Sequence, residues 1–336
     1  MNELITLACG SGGKFTHQLI NEIFYNYFKN DILLECGDSA ILKVKSGRMA
    51  FTTDSYVISP IFFKGGNIGK LAVCGTVNDL TVSGACPRYI SCGFIIEEGF
   101  SIRELESIAE SMADTAKKAG VSIVTGDTKV VHKGCTDKIF INTSGIGFIP
   151  EGVDLSVKKI RKGDKIIISG TMGDHGTAIL LERENIEVKS NITSDCAPLN
   201  SLIEPVIKKL PNAIRVMRDP TRGGVATTLN ELIAGSGLSI KLYEDCLPVR
   251  DEVKGICEIL GMDPLYMANE GKVLIIADGD LANSVIEILK ENPYGKDASI
   301  IGTVTDNLPD KVFMSTLAGG NRIIDMLATD PLPRIC

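Results

Sequence analysis

The chain has 336 residues, of which 44% are hydrophobic and 23% charged, and its formal net charge is −7. This composition is typical of a globular protein, and the length predicts two domains. Nucleic acids and anionic membranes bind clustered Lys and Arg, so an excess of acid argues against both partners.

The N-terminal stretch "MNELITLACG" lacks the charged region and apolar core of a secretory signal. No run approaches the roughly 20 apolar residues of a membrane span. We therefore expect a cytoplasmic protein.

The ten cysteines form no CxxC pair and no metal-ligand spacing. Most are expected to be reduced, buried side chains. Cys336 differs from the others because it is the last residue, after "PLPRI". Chain termini are seldom buried in a hydrophobic core, so the thiol of Cys336 is a candidate reactive group.

In chain order, the first half alternates strand-like runs with helical periods. "RMAFTTDSYVI" predicts a strand and "NIGKLAVCGTVNDLTVSG" a buried helix. "SIRELESIAESMADTAKKAG" is an amphipathic helix that begins at Ser101, with Glu104 completing a capping box, and ends at Gly120. "VSIVTGD" and "DKIFINTSGIGFI" predict two further strands.

The pattern restarts after Pro150. Helices are predicted in "GTAILLERE", "RDPTRGGVATTLNELIAGSG" and "LANSVIEILKEN", and strands in "KIIISG", "LSIKLYE" and "KVLIIAD". Since regular parallel βαβ spacing is absent, the fold class is α+β with mixed sheets rather than a Rossmann fold. We predict domains at 1–153 and 154–318 and a mobile tail at 319–336.

Two glycine-rich stretches invite a phosphate-binding interpretation. "CGSGGK" departs from the Walker pattern, so a phosphate loop and a flexible entry loop both remain open. "GTMGDHG" lacks the spacing of a dinucleotide loop and predicts a tight turn.

Acidic residues recur where predicted strands or helices end, and Mg²⁺ prefers their carboxylate oxygens together with water and phosphate. They are Asp38, Asp54, Asp79 and Asp127, with Asn78 beside Asp79. "DPTRGG" adds Thr221 and Arg222 just before a helix, where main-chain N–H groups favour an anion. The pattern favours a metal-nucleotide site, although each acid alone is as well explained as a turn or cap residue.

Seven stretches in the same order along the chain carry a resemblance: "GSGGK", "TTDSYVISPIFFKGG", "GTVNDLTVSGA", "TGDTKVV", "DPTRGGVATTLNEL", "ANEGK" and "PRIC". Together they resemble the HypE family of hydrogenase maturation proteins, which are carbamoyl dehydratases. That family belongs to the ATP-dependent superfamily of aminoimidazole ribonucleotide synthetase, with its PurM-like fold. The general motifs alone leave selenophosphate synthetase and thiamine-monophosphate kinase open, and "PRIC" is the most specific element.

The resemblance implies a homodimer formed by the first domain, with ATP and Mg²⁺ bound mainly there. A carbamoyltransferase, HypF, would load the terminal cysteine. ATP-dependent dehydration would then make a thiocyanate, whose cyanide goes to the HypC–HypD complex for the [NiFe]-hydrogenase iron.

The resemblance also implies residue roles. Cys336 would be the carrier, Glu270 the base and Lys129 the group that neutralises the developing oxyanion. The ATP-binding residues would be Gly12, Gly13, Lys14, Asp38, Asp54, Asn78, Asp79, Gly126, Asp127, Thr221 and Arg222. The metal ligands among them would be Asp38, Asp54, Asp79 and Asp127.

Two positions depart from the family pattern: Cys9, where histidine is expected, and His132. In the tail, we expect Pro331 and Pro333 to stiffen the tip and Arg334 to lower the pKa of Cys336 or steer the tip toward phosphate. Two other functions stay open: a superfamily enzyme acting on a diffusible substrate, and a nucleotide-sensing carrier that delivers a thiol-bound group.

Overall fold

The structure, a computed structural model, describes residues 3–11, 14–35, 39–42, 47–184, 191–327 and 334–336. The predicted site residues Gly12, Gly13 and Asp38 and the tail residues Pro331 and Pro333 lie outside the described residues. Within the described ranges, no helix combines the length and the apolar character needed to cross a bilayer.

The first half of the chain forms a four-stranded sheet with helices on one face. Its helices are α1 (Lys14–Leu19), α2 (Tyr25–Phe28), α3 (Ile68–Val82) and α4 (Ile102–Ala119), with a π-helical turn at Ile20–Phe24 between α1 and α2. Its strands are β1 (Arg48–Tyr56), the short pair β2 (Phe62–Phe63) and β3 (Gly66–Asn67), β4 (Cys86–Glu97), β5 (Ser122–Val131) and β6 (Ile139–Ile149). The sheet order is β1-β6-β4-β5, and only β4 and β5 run parallel.

The predicted helix after Ser101 is confirmed as α4. The Ser101 hydroxyl accepts the Glu104 N–H, and Gly120 ends the helix with a positive φ of 67°. The apolar residues Leu105, Ile108 and Met112 are fully buried, so α4 packs its apolar face against the rest of the first domain. The helix α3 lies between α4 and the sheet, and it is buried nearly all round.

The second half forms a seven-stranded mixed sheet with order β13-β12-β9-β11-β7-β10-β8. Its strands are β7 (Lys165–Ile168), β8 (Ile214–Arg218), β9 (Ser239–Tyr243), β10 (Leu274–Ala277), β11 (Ser299–Thr305), β12 (Val312–Ser315) and β13 (Asn321–Ile324). Its helices are α5 (Asp174–Arg183), α6 (Asn200–Lys209), α7 (Gly224–Ile233), α8 (Asp251–Leu260) and α9 (Ala282–Lys290).

Helices cover both faces of this sheet. Ile166 and Ile168 of β7 join a core that includes α7, whereas Ile167 joins one that includes α6 and α9. Successive residues of a strand point to opposite faces, so a strand buried on both sides reads as a continuous apolar run. That is why "KIII" and "LIIA" show no alternation.

The predicted α+β class with mixed sheets is confirmed, and two elements differ from the prediction. The sequence analysis did not identify β4, the longest strand, because Pro87 and the small residues Ser91, Cys92 and Gly93 weaken its apolar alternation. Residues Asn321–Ile324, assigned to the tail, instead form the strand β13 at the edge of the second sheet, paired with β12.

Candidate active site

Three carboxyl groups from separate elements meet on the side of the first sheet that faces α3. Asp54 lies on β1, Asp79 on α3 and Asp219 in the loop that follows β8. The Thr52 hydroxyl donates to Asp79 Oδ2 at 2.7 Å, and the Tyr56 hydroxyl donates to Asp54 Oδ2 at 3.2 Å.

These carboxyl groups repel one another in a site with limited access to water. Burial raises the pKa of Asp54, and burial together with the Asp54 charge raises that of Asp79. Burial and the Asp79 and Asp54 charges raise the pKa of Asp219 to about 7. Arg222 and Arg218 offset only part of this effect, so the cluster favours a bound cation.

The cluster fits Mg²⁺ in a limited way. Within the part of the chain that the structure describes, no group of three or more His, Cys, Asp or Glu side chains is arranged as a complete metal cage. Mg²⁺ usually takes one or two carboxylates and completes its shell with water and substrate phosphate. Asp54, Asp79 and Asp219 supply carboxylates of that kind.

Glu270 is buried close to this cluster. Its side chain is 3% exposed, and its Oε1 atom has no hydrogen-bond partner among the described residues. Burial raises its pKa well above the usual range, and Cys196, Asp219 and Asp195 add to the effect. A carboxylate with a raised pKa is a stronger base, as a general base requires.

The main chain of Glu270 is held by two buried side chains. Its N–H donates to Asp195 Oδ1 at 3.0 Å, and its carbonyl accepts from Asn78 Nδ2 at 3.3 Å. Asp195 also accepts the Gly271 N–H and lies 3.0 Å from Lys272 Nζ. The position of Glu270 therefore depends on Asp195 and Asn78.

Asn78 was predicted to bind ATP, but the structure commits its amide elsewhere. Besides Glu270, Nδ2 donates to the Ala197 carbonyl, and Oδ1 accepts the Leu199 N–H at 2.9 Å. Its side chain is 1% exposed. Since both ends of the amide are engaged by main chain, Asn78 supports the loop that holds Glu270.

The last three residues are seated between the end of β1 and α5. The Val57 N–H donates to a main-chain carboxylate oxygen of Cys336 at 3.2 Å, and the Ser59 N–H donates to the Arg334 carbonyl at 3.3 Å. Ile335 is 1% exposed, and Cys336 is partly buried against the first core. The main chain of Cys336 therefore has a defined position beside the end of β1.

The Arg334 side chain is engaged by residues of the first domain. Its Nε donates to the Val57 carbonyl at 2.8 Å, its Nη1 lies 2.9 Å from Asp137 Oδ2, and its guanidinium lies over the Phe140 ring. The expectation that Arg334 lowers the pKa of Cys336 or steers toward phosphate therefore finds no support in this seated arrangement, in which the guanidinium anchors the tail.

A cavity of about 490 Å³ lies beside β5. Gly10 and Ser11 of the glycine-rich loop line one side, and Gly126 to Lys129 line another. Its apolar wall comes from the helical segment and β5, and includes Phe24, Phe28, Leu33 and Ile123. An apolar slot with polar main chain at its mouth suits a flat base joined to a phosphate chain.

Asp127 and Lys129 lie on the opposite face of the sheet from the carboxyl cluster. Lys129 Nζ is 2.9 Å from Asp127 Oδ1, and this bond lowers the pKa of Asp127. Both side chains are exposed, whereas Asp54 faces α3. The structure thus brings Asp54, Asp79 and Glu270 together and leaves Asp127 and Lys129 at the cavity.

The remaining predicted residues lie at helix starts. Lys14 begins α1, and Thr221 and Arg222 precede α7, with Arg222 close enough to Asp54 to lower its pKa. The sequence analysis missed Asp219, although it stands in "DPTRGG", and it missed Asp195, for which the sequence gives no signal.

Comparison with known proteins gives two family matches and full-length relatives. Residues 36–149 match AIR synthase related protein, N-terminal domain, and residues 161–314 match AIR synthase related protein, C-terminal domain. The carbamoyl dehydratase HypE of Bradyrhizobium diazoefficiens is 48% identical over 335 residues, which cover 100% of this chain and 97% of that protein. The chain belongs to the HypE family.

Two solved structures of the HypE family extend the match to three dimensions. HypE in complex with ATP has a TM-score of 0.95 at 46% identity, covering 98% of this chain and 99% of that one. A HypE–HypF complex gives a TM-score of 0.81 at 50% identity, covering 92% and 99%. The family resemblance predicted from the sequence is therefore confirmed over nearly the whole chain.

Proposed function

We propose that this HypE-family protein is an ATP-dependent carbamoyl dehydratase that converts a carbamoyl group on the Cys336 sulfur into a nitrile, which supplies cyanide to the iron of [NiFe]-hydrogenase. The supporting observation is the seated tail. Main-chain bonds from Val57 and Ser59 hold the tail at the end of β1, the strand that carries Asp54, and the nearby Glu270 is a buried carboxyl group with one unpaired oxygen.

The reaction removes the oxygen and both amide protons from an S-carboxamide. ATP is the second substrate, and it supplies the phosphoryl group that makes the amide oxygen a leaving group. Departure of phosphate and loss of the last N–H proton leave a carbon–nitrogen triple bond on sulfur. The protein has to place the carbon, take the proton and exclude water.

Glu270 is the base in this proposal. Its raised pKa makes its carboxylate a stronger base, which takes the remaining N–H proton of the O-phosphorylated intermediate as phosphate departs. Burial at 3% exposure also excludes water, which would otherwise hydrate the intermediate and return the carboxamide.

Asp54 and Asp79 are the residues that would hold Mg²⁺, with Asp219 beside them. Bound there, the cation would screen the phosphate charges during transfer. Burial raises the pKa of all three carboxyl groups, and carboxylate repulsion adds to the rise for Asp79 and Asp219, which supports this assignment. Asp38 stays a predicted ligand, and Asp127 belongs to the nucleotide cavity.

The cavity beside β5 is the proposed nucleotide site. Its apolar wall suits adenine, and Gly10, Ser11 and Gly126 offer main chain to the phosphates. Lys129 lies at its rim, paired with Asp127, and stays the predicted group that neutralises the developing oxyanion. Gly12, Gly13, Lys14, Thr221 and Arg222 stay predicted phosphate contacts.

We assign dimerisation to the outer face of the first sheet, within the proposed domain 1–153. Met49 and Phe51 are 51% and 65% exposed, and they lie directly opposite Phe148 and Ile146 in the register of β1 and β6. A contiguous apolar strip of this kind calls for a partner surface. A second copy of the protein would cover this apolar strip, and the proposed second domain, 154–318, would lie on the outside of the dimer.

The assigned partners follow from the family. The HypE–HypF complex supports HypF as the carbamoyl donor to this chain. The HypC–HypD complex is the proposed cyanide acceptor, and the cytoplasm the proposed compartment.

Intact-protein mass spectrometry with HypF, carbamoyl phosphate and ATP tests the proposal. Wild type should gain the mass of one carbamoyl group and then lose one water. Cys336→Ala should gain nothing while it still binds ATP, and Glu270→Gln should stop at the carbamoyl adduct. An adduct on another cysteine, or water loss by Glu270→Gln at the wild-type rate, would contradict the assignment.

The alternative is an enzyme of the same superfamily acting on a diffusible substrate, of the selenophosphate synthetase or thiamine-monophosphate kinase type. It predicts turnover after removal of the last ten residues. A nucleotide-sensing carrier instead predicts ATP binding without ATP hydrolysis when Cys336 is loaded. The full-length similarity to carbamoyl dehydratase HypE favours the dehydratase over both.

A further inference from the structure

A chain of hydrogen bonds runs from the seated tail toward Glu270 through His175. His175 is fully buried, with Nε2 at 2.9 Å from the Ile335 carbonyl and Nδ1 at 2.8 Å from Ser194 Oγ. Ser194 Oγ in turn accepts the Cys196 N–H at 3.1 Å. His175 therefore joins two segments that are far apart in sequence.

The donors in this chain follow from its chemistry. The Ile335 carbonyl can only accept, so Nε2 carries the proton. Burial lowers the pKa of His175, which favours the neutral ring, so Nδ1 accepts and the Ser194 hydroxyl donates. Each member thus has one role, and changing one bond disturbs the next.

The segment that Ser194 begins is also the one that holds Glu270. Asp195 accepts the N–H groups of Glu270 and Gly271, and the Ala197 N–H lies 3.4 Å from the Glu270 carbonyl. The start of this segment is fixed because Ser194 donates its N–H to the Lys64 carbonyl at 2.8 Å. A shift of Ser194 therefore reaches Glu270 within one or two residues.

We propose that His175 and Ser194 are positioning residues that couple the seating of Ile335 to the placement of Glu270. The base is then correctly held only while the tail is in the cleft. This inference rests on the proposed function, because it assumes that Glu270 acts on a group carried by Cys336. Neither residue touches the reacting carbon in this account.

Such coupling is reciprocal. If the seated tail stabilises the segment 194–197, then a correctly held segment must stabilise the seated tail by the same factor. Couplings of this kind amount to about fivefold to about 150-fold. A buried histidine that only fills space would show no such link.

Two substitutions of His175 separate its two bonds. His175→Asn keeps an acceptor near the Nδ1 position for Ser194 and loses the donor to Ile335. His175→Gln reaches the Nε2 position and keeps that donor, but offers Ser194 no acceptor. Like His175→Gln, Ser194→Ala removes the hydrogen bond between residues 175 and 194, but it leaves the imidazole ring in place. The matched control is Ser107→Ala, on the exposed face of α4.

Three measurements test the hydrogen-bond chain from Ile335 through His175 and Ser194. The first is the alkylation rate of Cys336 by iodoacetamide, with exposed Cys135 as the internal reference. The second is the hydrogen-exchange rate of the Glu270 and Gly271 main-chain N–H groups, which donate to the Asp195 carboxylate. The third is single-turnover dehydration of protein already carbamoylated on Cys336, at saturating ATP.

We expect His175→Asn to raise Cys336 alkylation about tenfold and to slow dehydration. His175→Gln and Ser194→Ala should change alkylation less, while they speed exchange at Glu270 and Gly271 and slow dehydration about tenfold with ATP affinity unchanged. Ile335→Gly in the wild-type background should also speed exchange at both amides. Ser107→Ala should match wild type throughout.

The coupling is refuted if Ser194→Ala dehydrates at the wild-type rate, or if Ile335→Gly leaves exchange at Glu270 and Gly271 unchanged. Thermal melting identifies a variant that does not fold, and Ser194→Ala then remains as the milder test. If wild type itself never converts the adduct to a nitrile, the proposed function fails, whereas the exchange and alkylation data still decide whether tail and segment are coupled.

Discussion

Arg334 and Asp137 form an ion pair at 2.9 Å that holds the tail one residue before the Ile335 carbonyl bound by His175. The side chains are 39% and 49% exposed, so water and salt screen the attraction. The Phe140 ring, 5.9 Å from the guanidinium carbon, adds a cation–π contact. The tail is therefore held by a weak outer contact at Arg334 and a buried inner one at Ile335.

The outer contact predicts a modest effect of charge removal. Asp137→Asn should raise Cys336 alkylation about 1.4-fold to about fivefold, because exposed ion pairs contribute about 0.2–1 kcal/mol. The effect should vanish at high salt. Asp154→Asn, which breaks the exposed pair with Lys159, is the control and should leave Cys336 unchanged. Equal alkylation of Asp137→Asn and wild type at low salt would show that the pair does not hold the tail.

The inner contact predicts a larger effect. Ile335 is 1% exposed, and truncation of a buried isoleucine to alanine costs about 2–5 kcal/mol in protein cores. Ile335→Ala should therefore unseat the tail and slow single-turnover dehydration at least about thirtyfold. Its melting temperature should stay close to that of wild type, because the tail leaves its seat without unfolding either sheet.

Ile335→Val is the matched control, since it removes one methylene at about 0.5–1.5 kcal/mol and should retain most activity. Dehydration by Ile335→Ala at the wild-type rate would mean that the side chain does not secure the thiol.

Local signals in the sequence predicted α4 well, because its cap, apolar face and terminal glycine lie within one element. Asp54, Asp79 and Glu270 were recognised from family motifs. Asn78 and Asp79 have different surroundings because neighbouring residues on a helix point about 100° apart. Asp79 faces β1, whereas Asn78 faces the loop at Ala197 and Leu199.

The rest of the site depends on contacts that no local pattern encodes. His175 meets Ile335 across 160 positions of sequence, and Asp195 meets Glu270 across 75. "GTMGDHG" is a tight turn, as predicted, with Gly173 at a positive φ of 82°. The same turn begins α5 and so places His175 in the core, which became evident only from the packing.

The raised pKa of Glu270 predicts a pH-dependent rate. The base acts only when it is deprotonated, so the single-turnover dehydration rate should rise with pH through that raised pKa. Glu270→Gln should lose this dependence together with most of the rate. The measurement is dehydration of the preloaded adduct from about pH 5 to about pH 9. A rate that falls as pH rises would assign Glu270 the opposite role, that of an acid.

Asp219 predicts a pH-dependent stability and a metal effect. Its pKa is about 7 in the folded protein against 3.8 for an unperturbed carboxyl, so the folded state binds the proton more tightly. The corresponding stabilisation is present below about pH 4 and is lost as pH rises to about 7. The difference amounts to at most about 4 kcal/mol.

Asp219→Asn carries no charge, so its free energy of unfolding should stay flatter over this range and exceed that of wild type at about pH 8. Mg²⁺ should raise the melting temperature of wild type at that pH and act less on Asp219→Asn. Equal Mg²⁺ responses of the two proteins would remove Asp219 from the proposed cation site.

The outer face of the first sheet predicts the effect of a charge on assembly. Phe51 is 65% exposed, lies opposite Ile146 and has Met49 and Phe148 as its next pair along the strands. An unpaired carboxylate buried in such a strip costs several kcal/mol, so Phe51→Glu should weaken dimerisation at least about a hundredfold.

Ile259→Glu is the control, because Ile259 is 82% exposed on α8, far along the chain from the strip. Size-exclusion chromatography with light scattering should find wild type and Ile259→Glu dimeric and Phe51→Glu monomeric. If Phe51→Glu remained dimeric, the interface would lie elsewhere on the protein. If wild type were monomeric, the proposed dimer would not exist.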